Sequence, residues 1–265
     1  MRAAAVLLLL AALASACDTA FDPRVEDAEA FAVFGTLDGR APTQRLRVQD
    51  LASSVFETPD RLPATVTSTE RTTGRTTTWR DSLVTLPTGA RAHLFLAELA
   101  VAPGETHRVE VVRTTDGARS TVTVALPVPT VAPRPQDATS TAVQVDVAGL
   151  GGRLLDPVIR YGIRRPDDAA GLSFTTTTTT QATTDGVRFT AFLETAEIRA
   201  GSILYGGSES GEAVLTDARL EGVVVSEAPQ PVANGVGGVA WAVPISIPIP
   251  FATESVTRVG FIDGR

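Results

Sequence analysis

The chain has 265 residues, a formal net charge of −7 and one cysteine. Every cation other than the two histidines is an arginine, and the acidic balance argues against nucleic acid as a partner, because phosphate binding needs a basic face. A lone cysteine excludes an intramolecular disulfide, so packing must hold the fold, and 43% hydrophobic residues suffice to fill a core.

Residues 1–16 have the layout of a signal peptide: Arg2 supplies a positive charge, Val6-Leu7-Leu8-Leu9-Leu10 an apolar stretch, and Ala14-Ser15-Ala16 small residues before a cut. The apolar run is about fourteen residues, short of the roughly 20 that span a bilayer as a helix. Ala14-Ser15-Ala16 also fits the cleavage site of an ordinary secreted protein. Cys17, placed directly after it, favours lipidation, since an unpaired thiol in a secreted protein needs an explanation. The pattern resembles a bacterial lipobox, which implies that Cys17 becomes a lipidated N-terminus. Residues 17–27 then form an acidic tether carrying Asp18, Asp22, Glu26 and Asp27, with Glu29 just beyond. It reads as a solvated linker. It also resembles the acidic export tags of outer-membrane surface lipoproteins, although Asp18 after the cysteine would mean inner-membrane retention under another sorting rule.

From residue 28 onward helical periodicity is almost absent, and short alternating runs bounded by Gly, Pro and Asp recur, rich in the β-former Thr. A first hairpin pairs Phe31-Ala32-Val33-Phe34-Gly35-Thr36-Leu37 with Gln44-Arg45-Leu46-Arg47-Val48 around Asp38-Gly39. A second joins residues 64–70 to residues 75–79 around Thr73-Gly74. A third joins residues 106–113 to residues 120–124 around Asp116-Gly117, where Gly accepts the positive φ of a tight turn. Residues 28–127 are therefore expected to form a β-sandwich. Pro127, Pro129, Pro133 and Pro135 make residues 128–137 a stiff extended connector.

Residues 138–265 form a second β-rich domain. Ala142-Val143-Gln144-Val145-Asp146-Val147 alternates, with Val158-Ile159-Arg160-Tyr161-Gly162-Ile163 as its expected partner strand. Thr175 to Thr180 read as a threonine-rich strand, with a flat hydroxyl ladder for ice or glycan as the sharper alternative, followed by a hairpin at Asp185-Gly186. Ile245-Ser246-Ile247-Pro248-Ile249-Pro250-Phe251 belongs at an edge or in a loop, because Pro cannot donate to a ladder. It either packs across the domain junction or meets a partner or membrane surface. The fold class expected overall is all-β, two β-sandwich-like domains after a lipoprotein signal peptide.

Signals for chemistry are sparse. His93 and His107 have no further His or Cys at metal-ligand spacing and read as strand histidines with satisfied rings. Gly207-Ser208-Glu209-Ser210-Gly211 puts Glu209 where a nucleophile elbow needs Ser. Glu194 and Glu197 are the candidates for paired carboxylates, in a chain with only two Trp and two Tyr to stack a sugar. Asp167-Asp168 and Asp116-Gly117 lack the ligand alternation of a calcium loop, and Gly235-Val236-Gly237-Gly238 lacks the Lys of a phosphate loop. No catalytic residue, metal or cofactor is expected.

Three stretches carry a family resemblance. Phe31 to Leu37 followed by Arg45 to Val48 is the first. Leu99-Ala100-Val101-Ala102-Pro103-Gly104 leading into Thr106-His107-Arg108-Val109-Glu110-Val111 is the second, with His107 where the family usually has Tyr. Asp217 to Glu227, before Asn234-Gly235-Val236-Gly237-Gly238, is the third. Together they are similar to a family of bacterial surface lipoproteins of uncharacterised function. The resemblance implies a lipidated cysteine, an immunoglobulin-like or carboxypeptidase-regulatory-like β-sandwich, and association with outer-membrane uptake systems. The function expected is a non-enzymatic outer-membrane lipoprotein, surface-exposed or periplasmic. It would be held in the membrane by lipid on Cys17 and act as a binding or accessory module for an envelope protein or glycan. Its alternatives are a structural envelope protein without a specific ligand and a carboxylate-dependent hydrolase.

Overall fold

A computed structural model describes residues 29–52, 59–133, 141–184, 186–205 and 213–265. Cys17, the tether and the Ser208-Glu209-Ser210 stretch lie outside them. In the first half the strands are β1 (Phe31–Asp38), β2 (Thr43–Asp50), β3 (Ala64–Glu70), β4 (Thr76–Thr78), β5 (Arg80–Thr85), β6 (Arg91–Glu98), β7 (Thr106–Arg113) and β8 (Arg119–Ala125). The second half adds β9 (Thr130–Pro133), β10 (Ala142–Ala148), β11 (Gly152–Arg164), β12 (Leu172–Thr177), β13 (Thr179–Thr183) and β14 (Gly186–Phe192). Helix α1 (Leu193–Tyr205) follows, then β15 (Val214–Ser226), β16 (Gln230–Pro231), β17 (Gly235–Pro248), helix α2 (Thr253–Arg258) and β18 (Ile262–Asp263). The fold is all-β.

One ten-stranded sheet runs through both halves in the order β12-β11-β15-β17-β1-β2-β6-β5, with β16 and β18 attached. Each half has its own four-stranded sheet as well, β4-β3-β7-β8 in the first and β13-β14-β10-β9 in the second. Residues 28–127 and 138–265 thus share one sheet. The seam is β1 lying parallel to β17, from Phe31 opposite Gly235 to Asp38 opposite Ala242. A parallel pair needs no short turn, so nothing near β1 in the sequence announces a partner about 200 residues away.

The seam is tied crosswise. Ser120 on β8 is fully buried; its hydroxyl accepts the Phe31 amide at 3.1 Å and donates to the Asn234 carbonyl at 2.5 Å. Asn234 takes the left-handed conformation at φ 53°. A Cβ on Gly235 would come within 2.5 Å of the Phe31 carbonyl and 2.7 Å of Ser120 Oγ, so only glycine fits this crossing.

The hairpins at Asp38-Gly39, Thr73-Gly74 and Asp116-Gly117 form as the turn residues predict, with Gly74 and Gly117 at φ 70° and 76°. The strands' alternation sorts them: Leu46 and Val48 are buried on β2 while Arg45 and Arg47 are exposed. Four expectations are corrected. The stretch read as connector carries β9, whose residues Thr130–Pro133 pair with β10. β10 pairs with β14 and β9, and β11 with β15 and β12, so residues 158–163 are not the partner of residues 142–147. Gly149 and Gly151, at φ 70° and 59°, turn the chain from one sheet to the other between β10 and β11. The run Thr175 to Thr180 is split, ending β12 in the large sheet and beginning β13 in the small one. The Thr178 hydroxyl bonds the Thr190 carbonyl at this corner, so six hydroxyls do not share one flat face. Finally, residues 193–205 are a helix, with Leu193, Ala196, Ala200 and Leu204 buried along one side.

The proline-containing run near the C-terminus is core. Ile245, Ile247, Ile249 and Phe251 are buried while Pro244, Ser246, Pro248 and Pro250 are exposed. Past Ala242, β17 is paired among the described residues with β15 alone, and that one-sided edge tolerates the prolines. Phe251 stacks on the fully buried Tyr161 at 6.4 Å between ring centroids, and Phe174 at 5.4 Å. Burial pushes the Tyr161 phenol up from its ordinary value, opposed by the nearby Thr176 side chain.

Candidate functional site

Both histidines are interior. His93 points inward from β6; its Nδ1 lies 2.8 and 3.0 Å from the two Asp81 carboxylate oxygens and its Nε2 3.1 Å from the Pro59 carbonyl. Asp81 also accepts the Leu62 amide at 3.0 Å. Every polar atom of this pair is therefore spent on holding the segment before β3 against β5 and β6. His107 has no exposed surface; its Nε2 lies 2.9 Å from Glu105, which accepts the Ala102 amide, and its Nδ1 finds no partner among the described residues. Its ring is half satisfied where the sequence suggested full satisfaction.

Of the candidate carboxylates, Glu194 sits in the first turn of α1 and Glu197 in the next. Glu194 is exposed and accepts the Thr141 hydroxyl at 3.0 Å, and Glu197 is half-buried. Asp168 caps a turn through the Ala170 amide, and residues 235–238 open strand β17. Among the described residues no three His, Cys, Asp or Glu side chains cluster, and no helix is long and apolar enough to cross a membrane.

The structure brings together a recess that the sequence does not announce. It has a volume of about 610 Å³ and opens between the start of β11 in the large sheet and the β13–β14 hairpin of the small one. Leu154, Pro157 and Val187 give it apolar wall, Thr180, Thr183 and Thr184 hydroxyls, and Arg153 and Glu227 one charge of each sign. The size is that of a small-molecule or short-segment site. Leu154 and Pro157 are three residues apart and would face opposite ways on a regular strand. The register shifts between Leu155 and Val158, with Asp156 left-handed at φ 47°, and this bulge puts both on one wall. Only pairing register reveals such a bulge.

A second recess, about 630 Å³, is lined by Asp60, Arg61, Trp79, Arg80, Asp81 and Phe95 among others. Its deepest carboxylate, Asp81, is the one already engaged by His93.

No family profile matches the chain, and no curated protein matches it. Among solved structures it is similar to bovine butyrophilin, at 13% identity and a TM-score of 0.22, over 83% of this chain and 99% of that one. The likeness is slight.

Proposed function

We propose that this chain is a non-enzymatic, outer-membrane lipoprotein, anchored through lipid on Cys17, whose β-sandwich body serves as a binding or accessory module at the cell envelope. The observation that carries the binding role is the recess between β11 and the β13–β14 hairpin. Three threonine hydroxyls and the Arg153 and Glu227 side chains offer hydrogen bonds beside an apolar wall, which suits a glycan or a peptide segment of an envelope protein. Glu227 is the single carboxylate among the described lining residues, whereas glycoside hydrolysis uses two facing each other across the bond. The anchor rests on the position of Cys17 after a signal-like segment.

A structural role without a ligand is the second reading, favoured by the single large sheet, which joins both halves into one body. The two are separated by arraying the purified protein against envelope glycans and peptides, beside Ala182→Trp, which fills the recess. Saturable binding lost in the variant supports the module. Absence of binding to any probe favours the structural reading.

A further inference from the structure

The outer face of the large sheet carries a patch at odds with the charge of the whole chain. On β1, Phe31, Val33 and Leu37 are buried and Phe34 and Thr36 point out; on β2, Arg45 and Arg47 point out. On β6, Phe95 and Ala97 are inside, so Leu94 and Leu96 lie on the outer face, half-buried. The register fixes two rows across four strands. Phe34 lies opposite Arg47, Arg47 opposite Leu94, and Leu94 opposite Ser82. Thr36 lies opposite Arg45, Arg45 opposite Leu96, and Leu96 opposite Arg80.

Strand geometry sets the spacing: Arg45 and Arg47 stand about 7 Å apart along β2, and Arg80 about 10 Å from Arg45 across two strand intervals. Arg45, Arg47 and Arg80 are exposed and form no ion pair or side-chain hydrogen bond among the described residues. Acidic side chains stand at one end of the patch: Asp38 is engaged by Arg40, and Glu98 lies opposite Thr43. Phe34, at the β1 end of its row beside Arg47, is 43% exposed.

We propose that this face docks an acidic protein surface. Guanidinium groups pair bidentately with carboxylates, and arginines interleaved with an aromatic ring and leucines are the composition of protein–protein contacts. A chain with net charge −7 would otherwise repel an acidic partner, so three arginines without an ion-pair partner among the described residues, on one sheet face, localise the attraction to it. Polyanions fit less well. A nucleic-acid or heparin-like chain relies on many more charges than three, and gains nothing from Phe34, Leu94 and Leu96. The proposal is independent of the recess and of lipid on Cys17.

The test uses the full chain in neutral detergent and three probes: the acidic copolymer poly(Glu,Tyr), heparin, and phosphatidylglycerol vesicles. Binding to poly(Glu,Tyr) should weaken at least tenfold in Arg45→Glu/Arg47→Glu, and again in Thr36→Glu, which adds a carboxylate while keeping the arginines. Arg71→Glu/Arg75→Glu on the β3–β4 turn makes the same charge change elsewhere and should stay within twofold. Unfolding midpoints of all variants are measured in parallel, and a tenfold loss confined to correctly folded face variants sustains the proposal. Heparin or vesicles binding as tightly through the same arginines, self-association of the chain through this face, equal loss in the control, or no binding of any probe would each overturn it.

Discussion

Arg113 on β7 grips Asp50 on β2 through two hydrogen bonds, Nη2 to Oδ1 at 2.6 Å and Nε to Oδ2 at 3.0 Å. The pair joins the large sheet to the small sheet of the first half. Their side chains are 11% and 5% exposed, and the same guanidinium reaches the Ala30 carbonyl, Asp116 and the face of Phe31. The hydrogen bonds it donates to Asp50 hold the Arg113 guanidinium above its ordinary value, so it stays charged. Asp50→Ala leaves a nearly buried charge without its main partner and should cost about 3–5 kcal/mol in denaturant unfolding, whereas replacing both residues by leucine should cost much less. Equal losses in the two variants would show that packing, and not the orphaned charge, is what matters there.

The shared sheet predicts one cooperative unfolding unit. Trp79 lies in the first half, buried, with its Nε1 donating to Ser68 at 3.0 Å; Trp241 lies buried on β17 near the seam. They are the two tryptophans of the chain. Trp79→Phe and Trp241→Phe leave one reporter each, and their fluorescence transitions should share the midpoint given by far-UV circular dichroism on the same variant. Two separated steps would mean that the β1–β17 seam yields before the halves do.

Glu70 predicts a pH response. Its carboxylate accepts the amides of Thr72 and Thr73 at 2.7 and 2.8 Å, together with the Thr73 hydroxyl, across the turn between β3 and β4. The Thr73 hydroxyl above all holds it down from 4.5 to about 2. A depressed folded value means the stabilisation is fully present above 4.5 and is lost as pH falls toward 2. Glu70→Gln, which stands in for the protonated acid, should therefore lower the unfolding midpoint near pH 7 and flatten its acid slope between those limits, so that the two proteins converge as pH falls toward 2. An unchanged slope would assign the acid sensitivity to other carboxylates.

The local parts of this fold were legible in the residues and the long-range parts were not. Asp116-Gly117 and Thr73-Gly74 determine their hairpins because a turn's backbone demands act on the very residues that make it. The β1–β17 pairing, the bulge at Asp156 and the neighbours of Arg45 depend on register between distant strands, which no short window encodes. Residues 193–205 are a different case: Leu193, Ala196, Ala200 and Leu204 carry a helical spacing, masked by the small alanines and by the strand-like run before them. The recess between β11 and β13 was invisible for the same reason as the bulge that shapes it.

The measurement closest to the central claim is fatty-acid labelling with protease shaving of intact cells, wild type beside Cys17→Ala. A labelled, membrane-bound wild type and an unlabelled, released variant are the predicted result, with shaving telling a surface-exposed body from one facing the periplasm. Absence of label in both would contradict the account, leaving Cys17 a free thiol and the protein without its anchor.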